Sequence, residues 1–349
     1  MGQLHLFGAK TQLEILTKLG DPLTKANQLI DWEIFRKPIE DAIRKDLTKG
    51  GRPPYDVILM YKITMLQQWY GLADMHVEYM INDRLSFMRF LGLEIGDKVP
   101  DGNTIWDFKE ALKTNNLDKK LFDTFNKTLE EKGIITHKGS IVDATFVTVP
   151  IRHTTKKDDE HLKKGEELED LPAKCAERVE RSEVKSQDNV VAQVDVDARW
   201  TKKGEESFFG YKNHVKCDSD SKIITAFSVT DASVHDSLEF VGLVDEKDRD
   251  VKADSAYIGT YRDEILRLFP SVRVHVCSRA YRNKPLTFEE KENNKLIACV
   301  RCRVEHVFGY MTRFMCGVCS RVHGLGRVGR DVASKNLAYN LRRYVFLVG

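Results

Sequence analysis

Lys138-Gly-Ser-Ile-Val-Asp-Ala-Thr-Phe-Val-Thr-Val-Pro150 is the stretch whose reading decides the fold. Val142, Phe146, Val147, Thr148 and Val149 are β-branched or aromatic, and Gly139 and Pro150 punctuate the ends, so the run predicts a strand. In its middle stands Asp143. Asp is depleted in strands and is rarely buried without a partner or a metal. Two readings are open at this point: an Asp on an exposed strand face, or a metal ligand projected from a central strand. Carboxylates further along the chain decide between them.

Downstream, Ser207–Cys217 and Ile223–Thr230 predict two strands around the turn cluster Asp218-Ser-Asp-Ser-Lys222, an antiparallel hairpin. A helix starts within Asp231–Leu238, with Asp236 or Ser233 as its cap. Asp250–Asp254 is a short strand, Tyr261–Leu268 a helix stopped by Pro270, Val272–Cys277 an alternating strand and Leu296–Met311 a helix. Strands followed by strand–helix alternation indicate an α/β fold with a mixed sheet flanked by helices. Asp254 closes a strand before a loop; such an Asp is a helix cap, or belongs to a site beyond the carboxyl ends of the strands. On the last helix Val300, Val304, Val307 and Met311 form the apolar stripe and Glu305 borders it. Arg301 precedes Glu305 by one turn, the spacing of an ordinary ion pair. Each acid has a bland explanation alone. Together, Asp143, Asp254 and Glu305 could converge on a divalent cation, and carboxylates are hard ligands suited to Mg²⁺ or Mn²⁺. Two such ions about 4 Å apart activate a hydroxyl and stabilise the leaving oxygen of a phosphoryl displacement.

Upstream of the strand, residues 1–135 read as a helical region. Pro53-Pro54 leads into a helix ending at Tyr70-Gly71, with Leu59, Ile63, Leu66 and Tyr70 on one face; Asp74–Asn82, Leu85–Leu91, Ile105–Leu112 and Leu117–Lys132 follow. Short helices with tight turns fit a helix-turn-helix and equally a plain bundle used for packing or dimerisation. Arg36, Lys37, Arg44, Lys45, Lys49 and Arg52 form a basic run, but Glu40, Asp41 and Asp46 interleave with it. Residues 136–349 form the second domain, with a charged insertion over 151–206 that is poor in large apolar side chains.

The 349 residues carry a net charge of only +2, so any nucleic-acid surface must come from local segregation of the 55 basic residues. No apolar run approaches the roughly 18 residues a membrane helix needs. The first sixteen residues lack an apolar core and cleavage pattern, and Met1-Gly2 lacks the Ser/Thr expected of a myristoylation signal. Seven cysteines without framework spacing fit reduced thiols of the cytoplasm.

Several motifs in fixed order then identify a resemblance: Gly51-Arg-Pro-Pro-Tyr55, Asn82-Asp-Arg-Leu-Ser-Phe87, Pro100-Asp-Gly-Asn-Thr-Ile-Trp106, Val142-Asp-Ala-Thr145, Asp197-Ala-Arg-Trp-Thr-Lys-Lys203, Gly210-Tyr-Lys-Asn-His-Val215, Thr230-Asp-Ala-Ser-Val-His-Asp236, Ala253-Asp-Ser-Ala-Tyr257 and Arg303-Val-Glu-His-Val-Phe-Gly309. The chain resembles the DDE transposases of bacterial insertion sequences, and more closely the insertion-sequence-five family, over nearly its whole length. The resemblance implies an RNase H-like core with Asp143, Asp254 and Glu305 as catalytic and metal-binding triad. It also implies Mg²⁺-dependent cleavage (Mn²⁺ substituting) at terminal inverted repeats, and attack of the freed 3′-hydroxyl on target DNA. The partners implied are double-stranded DNA and a second copy of the chain, in the bacterial cytoplasm and on the nucleoid when DNA is bound.

Related transposases carry a Tyr, Arg, Glu, Lys signature around the last carboxylate. Arg301 and Glu305 match it; the Tyr position falls at Ala298 and the Lys position at Thr312, with Arg313 beside it. Arg313 is therefore the expected phosphate contact. Arg301 and Arg303 are further DNA-contact candidates, as are Lys212 and His214, which share a strand face that is otherwise simply exposed. His235 and Asp236 read as helix-start residues. Cys299-x-x-Cys302 and Cys316-x-x-Cys319 look like two halves of a zinc site, but their separation is short and the first half lies in a helix; buried reduced cysteines are the preferred reading over structural zinc. Arg321–Arg343 is a basic segment whose Gly-rich start, Gly324–Gly329, suits DNA backbone contact, and whose end is an amphipathic helix with Leu337, Leu341 and Tyr344 or Val345 inward. The alternatives are a transposase-derived DNA-binding protein without strand transfer, and a metal-dependent nuclease.

Overall fold

The computed structural model describes residues 8–43, 53–149, 164, 195–317 and 319–349. Most of the expected insertion, Arg44, Lys45, Lys49 and Arg52 of the basic run, and the first residues lie outside these. The chain divides into two compact units, Met1–Ile134 with Phe314–Cys316 and Ala333–Gly349, and Ile135–Arg313 with Gly317–Val332. Ala333–Gly349, expected with 136–349, groups here with the helical unit.

That unit comprises α1 (Gly8–Lys18), α2 (Pro22–Leu29), α3 (Arg36–Ala42), α4 (Val57–Tyr70), α5 (Asp74–Asp83), α6 (Leu85–Leu91), α7 (Gly102–Thr114) and α8 (Leu117–Glu131). Caps set the boundaries. Asp21 accepts from the Leu23 amide, Asp56 from Ile58 and Leu59, and Asp101 from Thr104. Gly71 closes α4 at φ +63°, a left-handed conformation that glycine adopts without penalty. The sequence suggests one apolar face for α4, but Met60, Tyr61, Ile63, Thr64, Met65, Leu66, Gln67 and Trp69 are all buried. A helix covered on most sides is the spine of a bundle and is not free to enter a groove. Trp69 of α4 packs with Trp32 and Phe90 in edge-on and tilted contacts, with centroids 5.6–6.3 Å apart. The C-terminal segment joins through specific contacts. Trp69 Nε1 donates to the Ala338 carbonyl at 2.8 Å, the Asn340 amide donates to Asn126 at 3.0 Å, and Leu337, Leu341, Tyr344 and Val345 are buried.

The second unit is built on six strands: β1 (Ser140–Thr148), β2 (Arg199–Lys203), β3 (Glu206–Asp218), β4 (Ile224–Asp231), β5 (Asp250–Ala253) and β6 (Arg273–Val276). β3 is antiparallel to β1 and to β4; β1 and β5 are parallel, as are β5 and β6. β2 pairs with the first half of β3, so Arg199–Lys203, expected inside the insertion, is part of the sheet. The β3–β4 turn forms because Asp218 accepts from the amides of Asp220 and Ser221 and Lys222 takes φ +60°. Val142 packs with Phe240, Leu243, Val251, Tyr257 and Ile265, which places the short helix α9 (Phe240–Leu243) and α10 (Thr260–Leu268) on one face of the sheet. The helix α11 (Phe288–Phe314) lies over the opposite face, where Asp143 points by strand alternation. Its buried stripe is Ile297, Val304, Val307 and Met311; Val300, expected there, is only half-buried. The last helix, α12, runs Leu325–Val348, and its start is held by carboxylates: Asp195 accepts from the Gly324 amide and Asp197 from the Leu325 amide.

Candidate active site

Asp143 sits mid-strand on β1, at a point where β1 has already parted from β5, whose pairing covers only Ser140 and Ile141. Asp254 is the first residue beyond β5, and its Oδ1 accepts from the Ala256 amide at 2.8 Å, so it also caps the turn Ser255–Tyr257. From α11, Arg301 Nη2 reaches 3.2 Å from Asp143 Oδ2 and 4.0 Å from Asp254 Oδ2. One guanidinium thus gathers two acids that are 111 residues apart in sequence. Cys277, just past β6, is in the same group: burial pushes its thiol up and Arg301 pulls it partly back. The site lies where open α/β sheets place theirs, beyond the carboxyl ends of parallel strands.

Burial pushes the Asp143 carboxyl above the usual carboxylate range; Arg301 and the Ala144 amide oppose this, and the Asp254 charge adds to it. Burial thus disfavours the Asp143 charge by more than Arg301 and the Ala144 amide offset. Tyr257 lies behind it, fully buried, its hydroxyl without a hydrogen-bond partner among the described residues and its ionisation pushed far up by burial and by the charges of Asp236, Asp143 and Asp254. The sequence offered Tyr257 only as part of a motif.

Glu305 is not brought into this group. It is exposed, one turn beyond Arg301, and forms no ion pair or hydrogen bond among the described residues; the expected Arg301–Glu305 pair is replaced by Arg301–Asp143. Among the described residues, Asp143, Asp254 and Glu305 do not form a group whose ligand atoms all lie within 4.8 Å of one another, while His137, Asp245 and Asp248 do. This second cluster already holds a cation. Lys216, fully buried on β3, places Nζ 2.7 Å from both Asp245 Oδ2 and Asp248 Oδ2, and Ser140 donates to Asp248 Oδ1 at 2.6 Å. Lys216, Asp245, Asp248 and Ser140 together form a polar lock between β1, β3 and the turn before β5.

The DNA-contact candidates divide. Val215 pairs with Asp143, so Lys212 and His214 lie on the other face of the sheet, and both are buried. Lys212 Nζ donates to the Val234 carbonyl at 2.7 Å and lies 2.9 Å from Asp236 Oδ1. His214 Nε2 meets Thr230 Oγ1 at 2.9 Å, and burial depresses its pKa although Asp236 and Glu239 pull it up. Neither presents an exposed cation to a phosphate. In the fold they fix β3 to β4 and to the helix start at Asp236, where His235 supplies the cap that Asp236 or Ser233 was expected to give. Arg303 Nη1 is committed to the β3–β4 turn, 2.7 Å from the Ser219 carbonyl and 2.9 Å from Asp220. Arg313 is exposed and makes no ion pair or hydrogen bond among the described residues. Cys299, Cys302 and Cys316 are exposed free thiols, which corrects the expectation that they are buried. No helix among the described residues is long and apolar enough to cross a membrane.

The sheet order β2–β3–β1–β5–β6, with β4 also paired to β3, sets β4, β3 and β1 antiparallel and β5 and β6 parallel to β1; with helices on both faces this is the RNase H-like arrangement. A family model described as "Transposase DDE domain" matches residues 135–341, more than half of the chain, and one described as "Transposase domain (DUF772)" matches residues 11–111. The chain belongs to the DDE transposases, enzymes whose substrate is DNA and which use divalent metal. No solved structure matches it.

Proposed function

We propose that this transposase recognises the terminal inverted repeats of an insertion sequence, cleaves at the element ends and joins the freed 3′-hydroxyl to target DNA. The observation that carries the reading is the meeting of Asp143 and Asp254 on one cationic group beyond the parallel strands. These are hard oxygen donors, which fits Mg²⁺, with Mn²⁺ able to substitute. Asp143 and Asp254 would hold the ion, and Glu305, exposed and one helical turn from Arg301, would be the third ligand. A divalent ion bound there would lower the barrier to hydroxyl attack and stabilise the leaving oxygen. Asp143 and Asp254 orient the site, the α11 stripe of Val304 and Val307 fixes the helix that carries Glu305, and Arg313 contacts the DNA backbone from its end. Strand transfer at two ends calls for at least a dimer.

Incubation of the full chain with labelled terminal repeats and Mg²⁺ tests this. Cleavage that disappears in Asp143→Asn, followed by joining to a target duplex, is expected. Binding without cleavage leaves a DNA-binding protein, and cleavage without joining leaves a nuclease; either result removes the strand-transfer reading.

A further inference from the structure

We infer that Arg301 acts as an internal cation that occupies the metal seat, so that metal entry must displace it and thereby releases its guanidinium to DNA phosphate. The inference rests on the proposed metal-binding role of Asp143 and Asp254.

Arg301 lies on the inner side of α11, its side chain 22% exposed, and Nη2 is the cation nearest to both acids. The contact is poorly matched to a permanent structural pair. A guanidinium and a carboxylate pair best through two parallel bonds. Here a single nitrogen serves Asp143 at 3.2 Å, Asp254 is only at 4.0 Å, and the buried Nε has no hydrogen-bond partner among the described residues. The Lys216 lock in the same unit shows the contrast: one ammonium, two carboxylates, both at 2.7 Å. Arg301 neutralises two acids that would otherwise repel, yet leaves part of its own hydrogen-bonding capacity unused. A small divalent ion offers the acids more charge at shorter range, and the freed fork suits the two oxygens of a phosphate. One residue then keeps the acids together without metal and serves the substrate once metal has entered.

A competing internal cation weakens apparent metal affinity by the fraction of time it holds the seat. A residue that only orients the ligands would do the reverse, and its removal would weaken binding. Mn²⁺ binding to the full chain, followed by electron paramagnetic resonance and by the Mn²⁺-induced rise in melting temperature, separates the two. Arg301→Gln is expected to bind Mn²⁺ more tightly, by about tenfold if the internal contact is worth about 1.4 kcal/mol, and to melt lower than wild type in chelator but gain more on Mn²⁺ addition. Arg301→Lys, which keeps the charge should Arg301→Gln fold poorly, should fall between. Equal or weaker Mn²⁺ binding by both variants overturns the inference while leaving the metal site standing. If wild type shows no saturable Mn²⁺ binding that Asp143→Asn removes, the metal reading itself fails, and the inference with it.

Discussion

Replacing Lys216 by Met should be among the most damaging single changes in the sheet unit. The Lys216 ammonium is buried and sits 2.7 Å from one oxygen each of Asp245 and Asp248. Asp248 is itself buried, and its other oxygen is taken by Ser140. Met fills the same stem volume, so the loss is electrostatic and not a cavity. Removing one partner from a buried pair typically costs about 3–5 kcal/mol, because the remaining charge is stranded away from water. Asp245, half-exposed, can recover hydration, so most of the cost falls on Asp248. The double variant Lys216→Met/Asp248→Asn removes the stranded charge and should recover most of the loss. Urea unfolding followed by tryptophan fluorescence and circular dichroism measures both; with two units in the chain, the transition must be assigned before a free energy is fitted. A single-variant loss below about 1 kcal/mol, or a double variant no better than the single, refutes the argument that a stranded buried charge dominates here.

Four further outcomes follow from named contacts. The Lys216 hydrogen bond and charge outweigh burial and hold Asp245 below the usual carboxylate range. A depressed folded pKa gives stability that is complete above the ordinary Asp value of about 3.9 and fades as pH falls through the lower folded one, so melting below about pH 4 should lose this dependence in Asp245→Asn. Asp143→Asn should abolish cleavage yet leave melting near neutral pH unchanged or higher, because the folded site already disfavours that charge; a marked loss of melting temperature would contradict the burial argument. Gly210→Ala should cost about 2–4 kcal/mol in thermal unfolding, since Gly210 has φ +145° and a Cβ would stand 2.3 Å from the Val147 carbonyl oxygen. Arg313→Ala should flatten the salt dependence of DNA binding by about one unit of slope, whereas Arg303→Ala, which loses only its hold on the β3–β4 turn, should leave that slope unchanged in the same filter-binding series.

The strand content of the sheet unit was legible because β1, β3, β4 and β6 carry local signals: β-branched runs, alternation and a turn cluster with a mechanism in Asp218. What the local pattern could not supply was partnership across the chain. Arg199–Lys203 reads as charged and polar, and it becomes a strand only because the first half of β3 offers an edge. Lys212 and His214 read as an exposed face because strand alternation says which residues share a side and not which side is covered. α4 reads as amphipathic, and only the aromatic cluster around Trp69 and the returning C-terminal segment show why most of it is buried. In each case the missing information is a contact made by residues far away in sequence.

Arg301 shows the same limit at the site itself. Helical spacing joins it to Glu305, and an exposed pair of that kind is worth only a few tenths of a kcal/mol. Asp143 is 158 residues away but half-buried, so the attraction between it and Arg301 is screened less by water than that of a surface pair. Where the two compete, the half-buried acid wins, and Glu305 is left exposed with no ion pair among the described residues. The acid that spacing marks as the partner of Arg301 is thereby the one left exposed, while the acids that Arg301 does hold are fixed to the sheet. If these three acids hold the ion as proposed, two of its ligands are fixed to the sheet and one stands on the exposed side of α11. Glu305→Gln should then weaken Mn²⁺ binding without changing melting in chelator. If melting in chelator falls as well, Glu305 is engaged in the metal-free fold and the division into fixed and exposed ligands is wrong.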